Sequence, residues 1–162
     1  MRNVELRRTD YDDPVAEPVH ERYLADITER YGGAPGCIEA AGFGSGRGCF
    51  LIAWLGDEPV GMGGLRRHED GIGELKRMYV EPGARGRGIA RALLAQLEQE
   101  AADLGFTEIW LETGTEQPEA IALYESSGYR LIEPYGEFAE DPRSRCFAKA
   151  LDVRATDRPR PG

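Results

Sequence analysis

The sequence predicts a mixed α/β (α+β) fold, a mostly antiparallel sheet of about seven strands with helices packed on it. Three observations carry that expectation. Cys49 to Leu55 is a nearly continuous apolar run of strand length, as in a strand buried on both faces. Two turn signals, Asp57-Glu58-Pro59 and His68-Glu69-Asp70-Gly71, fold the following segments back as antiparallel neighbours. Beyond Val80 the apolar spacing changes to that of a helix, and strands then alternate with helices, which argues for a βαβ unit.

Taken in order, Val4 to Arg7 alternates and reads as a first strand, and acid- and Pro-rich Asp10 to Pro18 reads as a loop. Tyr23, Leu24, Ile27 and Tyr31 share one side of a helix from about Val19 to Tyr31, which Gly32-Gly33 stops. Ala34 to Gly48, with 5 Gly, is a connection. The strands Cys49–Leu55, Val60–Leu65 and Ile72–Val80 follow. Ile89, Leu93, Leu97, Ala101 and Leu104 form the stripe of a long helix, with Gly105 placed to cap its C-terminus. Ile109 to Leu111 is a strand, Pro118 to Ser126 a short helix stopped by Gly128, and Tyr129 to Ile132 and Cys146 to Leu151 are two closing strands. Residues 1–151 are expected to form a single domain, and 152–162, with 3 Arg, 2 Pro and almost no apolar side chains, a disordered tail.

Composition sets limits. With 162 residues, 41% hydrophobic and 30% charged, the chain is an ordinary globular sequence. A formal charge of −9 opposes a broad nucleic-acid or anionic-membrane surface, because both need a positive field. No apolar run is long enough to span a bilayer, and Met1 to Asp10 is too polar for a signal peptide. Cys37, Cys49 and Cys146 have neither zinc spacing nor the density of a disulfide framework, and a reduced, cytoplasmic protein is expected. His20 and His68 have no Cys, Asp or His at metal spacing, so no metal is implied.

The stretch richest in chemistry is Met78 to Ala90: a strand, a turn with Pro82, a Gly-spaced loop and the start of the long helix. Gly86 and Gly88 let the backbone turn tightly and approach a ligand. The helix start adds unpaired N–H groups and the positive end of its dipole, a cradle for a pyrophosphate that needs no net positive charge. Gly spacing alone also fits a plain β-to-α turn. A P-loop is excluded because Gly-Lys-Ser/Thr is absent, and Gly86-x-Gly88-x-x-Arg91 breaks the Rossmann fingerprint.

Arg85-x-x-Gly88-x-Ala90 matches the Arg/Gln-x-x-Gly-x-Gly/Ala signature of the GCN5-related N-acetyltransferase (GNAT) family, which this chain resembles. Glu74 to Val80 is similar to that family's fourth strand, and Ala120 to Tyr129 to its second signature helix. The resemblance runs from about Val4 to Leu151. It implies a sheet flanked by about four helices, splayed between two central parallel strands, Ile72–Val80 and Glu108–Thr113. It further implies acetyl-coenzyme A as acetyl donor, without a metal. The pantetheine arm would bond backbone groups near Met78, Tyr79 and Val80, and the pyrophosphate would rest on the amides of Arg85, Gly86, Arg87, Gly88, Ile89 and Ala90. Gln117, longer by a methylene, stands where many relatives carry a coenzyme-binding Asn.

The resemblance makes Tyr124 the general acid that protonates the departing thiolate. Glu74, acting through a water, resembles the base of some relatives, and Glu112 on the neighbouring strand competes for that role. Strict alternation would put Glu74 on one face with Met78 and Val80, a conflict that a β-bulge between them would resolve. Cys146 reads as a structural thiol rather than an acetylated nucleophile, since proximity alone activates direct attack. The acceptor would be the primary amine of a small molecule or peptide, received by Tyr23, Tyr31 and the Gly-rich connection opposite the 135–138 loop, with Glu137, Glu140 and Asp141. Net negative charge hints at a cationic acceptor. Family members are often dimers, so the resemblance allows a homodimer, while the sequence leaves the oligomeric state open. The rival function is a non-catalytic acyl-coenzyme A binding or sensing module on the same fold.

Overall fold

The computed structural model describes residues 3–44 and 46–152. The expected disorder of the tail falls, from 153 onward, outside the described residues. Among these, seven strands form one sheet: β1 (Val4–Arg8), β2 (Cys49–Leu55), β3 (Glu58–Glu69), β4 (Ile72–Val80), β5 (Glu108–Gly114), β6 (Arg130–Ile132) and β7 (Ser144–Ala150). The spatial order is β1-β2-β3-β4-β5-β7-β6, and only β4 and β5 run parallel. The α-helices are α1 (Glu17–Tyr31), α2 (Ile89–Asp103) and α3 (Pro118–Ser126). The resemblance implies about four helices; among the described residues there are three α-helices and several 3-10 turns, one of them Ala40–Phe43 in the Gly-rich connection.

Helix α1 begins two residues before the apolar spacing does, because Pro18 fits the first turn, where its missing N–H would have no partner anyway. Helix α2 ends as its sequence dictates. Gly105 takes φ +88°, and Phe106 N–H returns to the Ala101 carbonyl at 3.0 Å.

Two apolar layers lock the sheet. On one face Leu51, Leu65, Leu75 and Leu111 pack against Ile89, Leu93 and Leu97 of α2. On the other, Val19 of α1 joins Phe43, Phe50, Ile52 and Met62. The face each β4 residue chooses shapes the site. Met62 pairs with Tyr79 but Gly64 with Lys76, so Gly63 alone opposes Arg77 and Met78. This is a β-bulge, with Arg77 at φ +62°, the only positive φ among the described non-glycine residues. It inverts the alternation: Leu75 faces α2, and so do Met78 and Val80 beyond it, whereas Glu74 lies on the opposite face. A Cβ on Gly63 would meet Met78 Sδ at 2.6 Å, so glycine makes room for the bulged strand.

The parallel pairing runs from Ile72/Glu108 only to Leu75/Leu111. Beyond it β4 and β5 diverge. A wedge opens in mid-sheet, bordered by the bulged half of β4, the end of β5 and the start of α3.

Candidate active site

One side of the wedge is built mainly from backbone. Past a 3-10 turn at Pro82–Ala84 the chain passes through Gly86 (φ +81°) and Gly88 (φ +79°) into α2. Among the described residues the amides of Gly86 to Arg91 meet no backbone carbonyl, as the free N-terminal groups of a helix require. Arg85 Nε donates to the Val80 carbonyl at 2.9 Å and staples the turn to the end of β4. A cavity of about 580 Å³ lies along this surface. Of the residues expected to hold a coenzyme, Met78, Tyr79, Val80, Arg85, Gly86 and Gly88 line it, as do Ile89, Ala90, Gln117 and Tyr124. Arg87 is exposed and does not. Arg91, which the sequence reading passed over, does; its guanidinium donates to Ser126 Oγ at 2.7 Å. Its place in the first turn of α2 was the available signal. Free amides beside an unpaired strand edge suit a ligand with a diphosphate and an amide-bearing arm.

The other side is built from side chains. A second cavity, of about 440 Å³, has Arg66, Lys76 and Glu112 from three adjacent strands along it. Tyr23 and Tyr31 of α1 and the strap Gly33–Ile38 wall it, and Glu137, Phe138 and Asp141 bring in the loop before β7. Most of the expected acceptor region therefore does face a cavity, but Tyr135 and Glu140 do not line it. Sequence reading missed Arg66 and Lys76, which look like ordinary strand charges, and Ser144, which has no motif around it.

Met78, Gln117, Ala120 and Tyr124 line both cavities. Tyr124 is 5% exposed and packs edge-on against Tyr129, at 5.7 Å between ring centroids. Burial pushes its phenol well above the ordinary tyrosine range, with the charges of Tyr23 and Glu112 adding to the shift, so it is held protonated. Gln117 Oε1 accepts from the Tyr31 hydroxyl at 3.0 Å and lies 3.5 Å from Thr113 Oγ. Its extra methylene is thus used in bracing α1 against α3. Tyr31 reaches Gln117 across Gly114, where any Cβ would collide with the phenol oxygen. Burial pushes the Tyr31 phenol up to about 12.

The two candidate bases differ in setting. Glu74 is 3% exposed, takes Arg66 Nε at 2.9 Å and the Tyr135 hydroxyl at 2.7 Å, and does not line the cavity. The alternation that would put it with Met78 is broken by the bulge, and Tyr135 caps it. Glu112 lines the cavity, accepting from Ser144 Oγ at 2.8 Å. Burial raises its carboxyl above the usual range, although the Ser144 hydrogen bond and the Lys76 charge pull the other way. Cys146 is fully buried on β7 and lines neither cavity.

A sheet splayed at its one parallel pair, with a Gly-turned helix start at the mouth, defines the acyl-coenzyme A N-acyltransferase fold. The chain matches the Acetyltransferase (GNAT) family over residues 5–129, and it belongs to that family of N-acetyltransferases, which bind acetyl-coenzyme A. It is 42% identical over 103 residues to the IAA acetyltransferase of Azospirillum brasilense, covering 63% of this chain and 67% of that one. N-acetyltransferase YsnE of Bacillus subtilis is 36% identical over 123 residues, 72% of this chain and 81% of the relative. Among solved structures, the PaiA N-acetyltransferase of Thermoplasma acidophilum in complex with coenzyme A superposes with TM-score 0.69 over 91% of this chain and 99% of its own. At 18% identity, that likeness is one of fold alone. No helix among the described residues is long and apolar enough to cross a membrane.

Proposed function

We propose that the protein moves an acetyl group from acetyl-coenzyme A to a primary amine by direct attack within a ternary complex. The observation that carries this reading is the junction of the two cavities, where Tyr124 and Gln117 border both. A donor lying along the amides of Gly86 to Arg91 and the free edge of β4 would present its reactive end there. An amine in the second cavity would meet it without a covalent relay through the protein. Acetyl-coenzyme A supplies the activated acyl carbon, and this chain's residues supply orientation and proton transfers.

Glu112 is the base in this scheme. Its raised carboxyl pKa suits it to accept a proton from an ammonium near neutral pH, and Ser144 orients it. Glu74 is instead the buried anchor of Arg66. Once the N–C bond forms and the C–S bond breaks, Tyr124 gives its proton to the departing sulfur. Its raised pKa is no obstacle, because burial raises thiols as well: the buried Cys49 thiol is pushed up to about 12. The nitrogen sheds two protons in all. The one Glu112 takes from the ammonium passes to solvent, and the one lost as the N–C bond forms restores the phenol, so each turnover releases one proton.

Thiol release in the presence of an amine panel tests the scheme. Tyr124→Phe is expected to lower kcat at least about tenfold while the affinity for coenzyme A stays within about twofold. Unchanged turnover would remove Tyr124 from the chemistry. Glu112→Gln should erase the acidic limb of the pH–rate profile and Glu74→Gln should keep it; the reverse would return the base to Glu74. Tight coenzyme binding with no amine turned over would favour the sensing function.

A further inference from the structure

Building on the acetyltransferase reading, we infer that the acceptor is an amine that also carries a carboxylate, an amino acid or a small analogue. Its carboxylate would lie between Arg66 and Lys76, and its amine beside Glu112.

The chain as a whole carries −9, yet the acceptor cavity gathers four cations, Arg66, Lys76, Arg77 and Arg143, against three acids, Glu112, Glu137 and Asp141. Two of the cations are occupied. Arg143 has Asp141 at 3.6 Å and the Tyr31 carbonyl at 3.2 Å, and Arg77 donates to the Gly36 carbonyl at 2.8 Å and lies 4.9 Å over the Tyr23 ring.

The other two have capacity to spare. Arg66 gives Nε to Glu74 and, among the described residues, makes no other side-chain hydrogen bond. Glu74 thereby fixes the guanidinium plane, while the terminal nitrogens, the half of the fork that binds a carboxylate, keep their donors. Lys76 has no hydrogen bond or ion pair among the described residues, and its ammonium sits 5.1 Å over the Phe138 ring. The register Gly64↔Lys76 and Arg66↔Glu74 sets these two cations on one face of neighbouring strands. Burial lowers the Lys76 pKa, and the Arg66 charge lowers it further against the pull of Glu74, Glu112 and Glu137. An anion between them would relieve both.

The arrangement has polarity as well. Glu112 extends from the next strand, one residue past the last β4–β5 pair at Leu111, and its charge is felt at Tyr124. A ligand with its anion on Arg66 and Lys76 would turn its amine towards Glu112 and the junction, fixing two points of the reactant. At about 440 Å³, walled by Tyr23, Tyr31 and Phe138, the cavity suits a small molecule. The hint of a cationic acceptor in the global charge is therefore reversed locally.

The test compares acceptors that differ only in the carboxylate, phenylalanine against phenethylamine and leucine against isoamylamine. Thiol release is one readout. The other is calorimetric binding of the same compounds to the protein with unreactive desulfo-coenzyme A. The acids are expected to have kcat/KM at least about tenfold higher. That ratio should fall at least about tenfold in Lys76→Met and recover in Lys76→Arg, with binding of the acids following the same order. Arg66→Leu should weaken the acids likewise; because it strands buried Glu74, Lys76→Met carries the decision if that variant fails to fold. Equal or better use of the carboxylate-free amines, or a ratio unmoved by Lys76→Met, overturns the inference and leaves the acetyltransferase reading standing. Acids that bind through Lys76 but never release thiol would uphold the carboxylate site and overturn the acetyltransferase reading. Acids that neither bind nor react overturn the inference.

Discussion

The two halves of the wedge are made of different material. The donor side comes mainly from one segment, Met78 to Arg91, closed by α3, and works largely through backbone: two left-handed glycines, a row of free amides and an unpaired strand edge. The acceptor side is assembled from β3, β4, β5, β7, α1 and two loops, and works through side-chain charge and shape. A surface made of amides tolerates changes in side chains as long as the chain can follow the same path. A surface made of side chains changes character with each substitution. One fold can therefore keep a single donor while its acceptors diverge, and each half should be breakable without the other.

The largest effect is expected on the donor half. Gly88 stands at φ +79° at the start of α2, with open space where a Cβ would be. The constraint is thus backbone strain rather than crowding, about 1–3 kcal/mol for a residue forced into that region. Gly88→Val should respond by rotating the free amides away, weakening coenzyme A binding about a hundredfold by calorimetry. KM for the acceptor, measured at saturating donor, should change less than about threefold. A variant that loses both affinities together would show that the halves are not separable.

This difference also explains what could be read from sequence. Strand and helix order and the Gly-spaced turn into α2 were legible because they depend on local pattern: apolar period, glycine spacing, Pro at a helix start. The splayed parallel pair was legible only through the family resemblance. The bulge was legible only as a conflict, since Glu74 could not share a face with Met78 and Val80 without one. Arg66, Lys76 and Ser144 were not legible at all. Their meaning comes from strand register across the sheet, which no spacing along the chain reveals. The preference for Glu112 over Glu74 likewise depends on Tyr135, distant in sequence, closing over Glu74.

A smaller effect is expected on the acceptor half alone. Gly114 leaves room for the Tyr31 hydroxyl, so Gly114→Ala must displace that ring and break its 3.0 Å hydrogen bond to Gln117. Overpacking of this kind costs about 1–3 kcal/mol. Acceptor KM is expected to rise about tenfold, with coenzyme A affinity changed less than about threefold. An unchanged acceptor KM would mean that the Tyr31 wall does not touch the acceptor.

The smallest effect sharpens the comparison by separating stability from activity within one residue. Burial raises the Glu112 pKa in the folded chain, so near neutral pH its charged form is disfavoured relative to the unfolded state. The folded state then binds its proton more tightly than the unfolded state does. Glu112's contribution to stability therefore grows as pH falls through the folded pKa and is lost as pH rises through it. Glu112→Gln removes the charge and leaves an amide oxygen for Ser144 Oγ to donate to, so at pH 8 the variant should melt about 2 °C higher than the parent chain. The gap should narrow as pH is lowered and Glu112 protonates. Turnover should move the opposite way, falling at every pH, which is expected of a charge kept in a costly place for its chemistry. A variant less stable than the parent at pH 8 would mean that the carboxylate is held by favourable contacts, Lys76 first among them, and that burial does not dominate its titration.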